Sequence, residues 1–146
     1  MSNNEKSVPD NGPGQTLAFL HCMMHVSDLP AAIEFYDRVL GFKVVDRHRY
    51  DGHALVYMRK PDGGMEIELI CPDGGINGEV ADGRLWHMAF SVADLKAEYR
   101  RLLALDYRLV PIDSYSANGA FMCNFLYIYD PDGHQIEIIE SHGRYQ

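Results

Sequence analysis

The stretches "HCMMHVSDL" at residues 21–29 and "HMAFSVADL" at residues 87–95 decide the fold. Laid one on the other, they agree at His21 and His87, Val26 and Val92, Asp28 and Asp94, and Leu29 and Leu95, always 66 residues apart. A constant offset over several positions marks an internal repeat, which constrains the architecture more than any single segment does. The same offset separates two neighbouring histidines: His21 recurs, whereas His25 falls opposite Ser91.

The repeat continues outward. Asp28 stands before "LPAAIEFYDRVLG" and Asp94 before "LKAEYRRLLALD", each placed to cap a helix through its side-chain oxygen. Leu29, Ile33, Tyr36 and Leu40 form an apolar helical face, and Leu95, Tyr99 and Leu102 repeat its first three positions. Gly41 is expected just past the first helix. Strand-like runs follow in both halves: "FKVVDRHRY", "ALVYMRK" and "GMEIELIC", then "YRLVPIDSY", "FMCNFLYIY" and "HQIEIIE", with "PDG" turns at 61–63 and 131–133. Each half therefore reads as β-α-β-β-β, and the chain as an α+β fold of two tandem modules. The expected organisation is a disordered leader over 1–16, one domain over 17–141 and a tail over 142–146. Within the domain, modules 17–71 and 85–141 flank a linker over 72–84, which holds "PDGGINGEVADG".

Composition narrows the function. The chain has 146 residues, 47% of them hydrophobic and 23% charged, enough to bury a sizeable core. No apolar run approaches the roughly 18 residues that a membrane helix needs, and the first residues lack a signal-peptide pattern. A net charge of −8 with no basic cluster argues against nucleic acid as a partner. Three cysteines without CxxC spacing point to a reducing, cytoplasmic setting. Cys22, Cys71 and Cys123 sit in apolar runs and read as inert thiols.

The chemistry lies at the ends of the modules. In "EIEL", Glu66 and Glu68 share one strand face and Ile67 and Leu69 the other; in "QIEIIE", Glu137 stands between Ile136 and Ile138. A carboxylate in an apolar strand is costly unless it is paired, protonated or bound to a metal. The repeat thus nominates one His and one Glu per half: His21 with Glu68, and His87 with Glu137. Two imidazoles and two carboxylates suit a divalent first-row metal such as Ni, Co, Zn, Mn or Fe, with coordination positions left for substrate. His25 shares a face with His21 and is a substrate-site candidate. His48, His53, His134 and His142 read as solvated histidines, and Glu66 as facing solvent or a cation. Phe35, Tyr36 and Tyr99 read as core. The segment "PIDSYSANGAF" at 111–121 reads as a substrate-facing loop, with Tyr115 and Asn118 offering hydrogen bonds.

Taken together, "LHCMMHVSDLPAAIEFYDRVLGFKVV", "MEIELI", "LWHMAFSVADL" and "YDPDGHQIEIIE" resemble the glyoxalase I branch of the vicinal oxygen chelate superfamily, from about Leu17 to Glu140. The resemblance implies curled mixed sheets around a metal site held by His21, Glu68, His87 and Glu137, with nickel, cobalt or zinc as the usual metal. It implies a homodimer, in which two chains commonly build two sites across their interface. The implied activity is that of a lyase converting the hemithioacetal of methylglyoxal and glutathione to an S-2-hydroxyacyl thioester through an enediolate. By resemblance Glu137 is the principal base and Glu68 its counterpart. Glutathione-using relatives commonly carry Arg four residues after the first metal His and Asn four residues after the first metal Glu; here His25 and Pro72 occupy those places. The competing readings rank behind the lyase in this order: an acyl-CoA epimerase, an Fe(II) extradiol dioxygenase, and a drug-binding protein without metal catalysis.

Overall fold

The computed structural model describes residues 21–76, 87–117 and 119–142. The leader over 1–16, most of the linker, Asn118 and residues 143–146 lie outside them.

Two four-stranded mixed sheets and two helices make up the structure. The first module runs β1 (His21–His25), α1 (Leu29–Leu40), β2 (Lys43–Tyr50), β3 (His53–Arg59) and β4 (Glu66–Pro72). The second runs β5 (His87–Val92), α2 (Leu95–Leu103), β6 (Leu109–Ala117), β7 (Ala120–Tyr129) and β8 (Gln135–Glu140). The strand orders are β1-β4-β3-β2 and β5-β8-β7-β6. In each sheet the first and last strands of the module lie side by side and parallel, so the helix crossover and two hairpins return the chain to its start. The repeat in the sequence is a repeat of topology.

Local chemistry sets the boundaries. Asp28 Oδ1 accepts from Ala31 N and Asp94 Oδ1 from Ala97 N, both at 2.9 Å, and both caps hold φ at −131°. Gly41 takes φ 74° past α1 and bonds back to Asp37 O, a conformation that costs little only without a Cβ. The second helix stops at Leu103, short of the "ALD" expected to continue it. No glycine follows; Ala104 and Leu105 close a tight last turn, and Asp106 adopts φ 59° to reverse the chain. Asp51 and Gly52, with φ 46° and 74°, form the two-residue turn between β2 and β3 that favours a right-twisted hairpin.

One hydrophobic cluster draws on both modules. Helix α1 contributes Ala32, Phe35, Tyr36 and Val39; the sheets contribute Met24, Val56, Met58, Ile67 and Leu69, then Leu126, Ile128, Ile136 and Ile138. Each fully buried Phe or Leu adds about 2 kcal/mol of transfer free energy. Phe35 meets Tyr107 edge-on at 4.8 Å, and Phe42 meets Phe90 at 6.1 Å. Polar ties cross the same boundary. Arg101 donates to the carbonyls of Arg38 and Val39 at 2.9 and 2.7 Å, a cation at the negative end of α1. Asp130, with a fully buried side chain, accepts from Tyr36 Oη at 2.9 Å. Among the described residues no helix is long and apolar enough to cross a membrane.

Segment 111–121 differs from its reading as a loop. It is the end of β6, the turn and the start of β7, with Tyr115 opposite Cys123. Strand β6 lies at the sheet edge, where Pro111 costs no central ladder bond, and the register shifts between Val110 and Asp113.

Candidate functional site

Strand alternation separates the core face of the first sheet from a functional face. Ile67 and Leu69 are fully buried on the helix side; Glu68 points the other way, as do His21 and His25 from the neighbouring strand. His21 Nε2 lies 3.0 Å from Glu68 Oε2, and only a tenth of the Glu68 side chain is exposed. Tyr57 faces Glu68 across the ladder and donates its hydroxyl to Glu68 Oε1 at 3.0 Å. That bond pushes the Tyr57 phenol up from its ordinary value, with slight burial and the nearby negative charge acting in the same direction. The hydroxyl is thus kept protonated, as a donor. The ring also meets His21 edge-on at 5.9 Å.

The second sheet repeats this arrangement. His87 Nε2 lies 3.0 Å from Glu137 Oε2. Tyr127 is the ladder partner of Glu137, with its hydroxyl 3.5 Å from Glu137 Oε1 and its ring 6.0 Å from that of His87. Burial first, then the Glu137 charge, pushes the Tyr127 phenol up. Each module therefore carries a His–Glu–Tyr set on the face turned away from its helix. The tyrosines escaped the sequence reading; their signal was the alternation of Val56, Tyr57 and Met58, and of Leu126, Tyr127 and Ile128, in which only the central residue leaves the core.

The structure brings the four nominated residues together as two pairs. Among the described residues, no group of three or more His, Cys, Asp or Glu converges within one chain. Each pair nevertheless fits half of a divalent-metal site. Its imidazole nitrogen and carboxylate oxygen face one another, and the two carboxylates have no Lys or Arg ion-pair partner among the described residues. A little-exposed carboxylate held only by an imidazole and a phenol is suited to a cation.

The remaining candidates fall in different places. His25 is half-buried and lines a cavity of about 200 Å3 with Asp51, His53, Leu55 and Ile70. Tyr115 is exposed on the face that carries Cys123 and Tyr127, and Asn118 lies outside the described residues. Glu66 pairs with Arg59, whose Nε donates at 3.0 Å, as expected for a surface carboxylate beside a cation. Phe35 and Tyr36 are buried and Tyr99 packs against the core. Of the histidines read as solvated, His48 is exposed as expected, whereas His53 and His134 are only half-exposed and engaged. His53 lines the cavity and its Nδ1 contacts Asp51 O at 2.7 Å. His48 pairs with Asp46 at 2.8 Å. His134 meets Asp130 at 2.7 Å, which raises its pKa despite partial burial. Of the cysteines, Cys123 is buried and its thiol pushed up by burial, then by Glu137; Cys22 and Cys71 are half-buried.

Comparison with known proteins bears on the family and the fold. The model of the Glyoxalase/Bleomycin resistance protein/Dioxygenase superfamily matches residues 18–138. The uncharacterized protein YwbC of Bacillus subtilis is 32% identical over 124 residues, covering 82% of this chain and 94% of that one. A lactoylglutathione lyase of Pseudomonas putida is 27% identical over 149 residues, covering 84% of each chain. The structure of the trypanothione-dependent glyoxalase I of Leishmania major superposes with a TM-score of 0.66 at 29% identity, covering 86% of this chain and 87% of that one.

Proposed function

The chain belongs to the Glyoxalase/Bleomycin resistance protein/Dioxygenase superfamily, and from that premise we propose that it is a metal-dependent lyase of the glyoxalase I type. Its substrate on this reading is the hemithioacetal of a 2-oxoaldehyde and a thiol, methylglyoxal with glutathione or a similar thiol. Its product is the S-2-hydroxyacyl thioester. The observation that carries the reading is the duplicated His–Glu–Tyr set, two half-sites of equal chemistry in one chain.

His21 and Glu68 of one chain, with His87 and Glu137 of a second copy, would hold the metal, most simply nickel, cobalt or zinc. Bound there, the metal would act as a Lewis acid toward the substrate oxygens on which negative charge develops. The protein's own groups move the proton. A carbon acid beside a carbonyl is weak, so a carboxylate placed against it with water partly excluded is an effective base. Glu137 takes that role and, once protonated, returns the same proton to the neighbouring carbon; Glu68, on the opposite side, serves as the fixed ligand. His25 and the cavity beside it would receive part of the substrate away from the reacting carbons. With His25 and Pro72 at positions where glutathione-using relatives commonly carry Arg and Asn, this part of the site offers imidazoles in place of a fixed cation.

Mixing two inactive variants tests the reading. In a mixture of His21→Ala and Glu137→Gln chains, a heterodimer with sites shared between chains regains one intact site, and part of the hemithioacetal isomerase rate returns. A wild-type protein that binds no divalent metal and does not turn over the hemithioacetal refutes the lyase; a mixture that restores nothing refutes the shared site.

A further inference from the structure

The two half-sites are alike in chemistry and unlike in how firmly each holds its carboxylate. We propose that Tyr57 and Tyr127 are unequal positioning residues: Tyr57 fixes Glu68 in place, whereas Tyr127 leaves Glu137 free to turn toward a substrate proton. This rests on the metal-site reading above and adds to it a physical reason why two equivalent carboxylates take different roles.

Two independent features separate the halves. The first is hydroxyl geometry. Both tyrosines are direct ladder partners of their glutamates and sit at nearly the same ring distance from their histidines, 5.9 and 6.0 Å. The hydroxyls differ: Tyr57 Oη is 3.0 Å from Glu68 Oε1, and Tyr127 Oη is 3.5 Å from Glu137 Oε1. O–H···O bonds span about 2.5–3.0 Å, so the Tyr57 contact lies at the end of that range and the Tyr127 contact lies beyond it. With Oε1 of Glu68 engaged, Oε2 is left facing His21 Nε2, which fixes the carboxylate's orientation.

The second feature is bracing. The Tyr57 ring meets His48 edge-on at 6.0 Å as well as His21, and His48 is itself tied to Asp46 at 2.8 Å. Tyr57 therefore has two polar rings in edge contact with it, one of them anchored. Tyr127 has His87 on one side and on the other Phe125 at 5.3 Å, a neighbour with no hydrogen-bonding group to anchor it. A ligand whose outer partner is rigid keeps its orientation, and one whose partner is loose does not.

Co(II) serves as the probe, in the full chain. Its affinity is measured by competition with a chromophoric chelator, and its visible absorption reports ligand arrangement. Tyr57→Phe keeps the ring and removes only the hydroxyl; it is expected to weaken Co(II) binding about tenfold or more and to shift the absorption bands. Tyr127→Phe is expected to change the affinity by less than about threefold and to leave the bands in place. His48→Gln, which removes the brace without touching Glu68, is expected to act in the direction of Tyr57→Phe with a smaller effect. All three should keep the wild-type urea midpoint, which separates positioning from loss of fold. Equal losses in the two Tyr→Phe variants, or unchanged Co(II) affinity in Tyr57→Phe, overturn the assignment while leaving the metal site standing. A wild-type chain that binds no Co(II) overturns both.

Discussion

Asp130 offers the sharpest test of how the two modules are held together. Its carboxylate is fully buried and accepts from Tyr36 Oη at 2.9 Å, Asp132 N at 3.0 Å, His134 N at 2.8 Å and His134 Nδ1 at 2.7 Å. Tyr36 lies on α1, so the first bond joins the modules, and its ring is itself without exposure. Replacing Asp130 with Ala removes the acceptor and strands that hydroxyl against Met24 Sδ, 3.3 Å away, a weak acceptor. An orphaned buried hydroxyl costs about 1–3 kcal/mol, and each lost bond to a turn N–H that water can reach costs about 1 kcal/mol. Asp130→Ala should therefore cost about 4 kcal/mol. Tyr36→Phe removes one donor and leaves three on the carboxylate, which should cost about 1–2 kcal/mol. In the double variant nothing is stranded, so the sum should fall short of additivity by about 1 kcal/mol. Urea unfolding followed by circular dichroism, extrapolated to water, gives all three values. An Asp130→Ala protein no less stable than Tyr36→Phe, or strict additivity in the pair, would refute the reasoning.

Two further expectations follow from the same geometry and from the proposed chemistry. Asp130 holds the proton on His134 above its ordinary range, with Asp132 adding to the pull and burial opposing it. The stabilisation is complete below the unfolded value of about 6.5 and is lost as pH rises through the raised folded value. The stability difference between wild type and His134→Asn should accordingly shrink as the pH rises from about 6 to about 9; a difference that grows instead reverses the sign. For the reaction, metal-loaded Glu137→Gln should lose about two to four orders of magnitude in rate and Glu68→Gln less. Turnover at matched metal occupancy and exchange of the substrate's α-proton into heavy water measure this, and a wild-type rate in Glu137→Gln removes its role as base.

Much of this was legible because the sequence states it twice. Asp28 and Asp94 cap their helices with closely matching dihedrals, and Glu68 and Glu137 each stand between two buried aliphatic residues. Single, unrepeated features misled. Pro111, Ser114 and Ser116 have loop composition, yet an edge strand with register shifts tolerates them. His53 follows a turn dipeptide, but a two-residue hairpin places it on the first rung of β3, opposite Tyr50. Composition sees the residues of a turn; it does not see how short the turn is.

The tyrosines and the separation of the two His–Glu pairs were hidden for different reasons. Tyr57 and Glu68 are separated by a hairpin, and their meeting depends on register, which a slip of one residue would undo. Within either half the answer is still local, since alternation turns Tyr57 away from Val56 and Met58. The separation of the two pairs has no such local trace. The faces with Ile67 and Leu69, and with Ile136 and Ile138, turn inward to one shared core, so the opposite faces, which carry the His–Glu pairs, turn away from the contact between the modules. Both histidine side chains remain over a third exposed, at 37% and 36%. What packs the modules into one chain is thus what turns their His–Glu pairs outward.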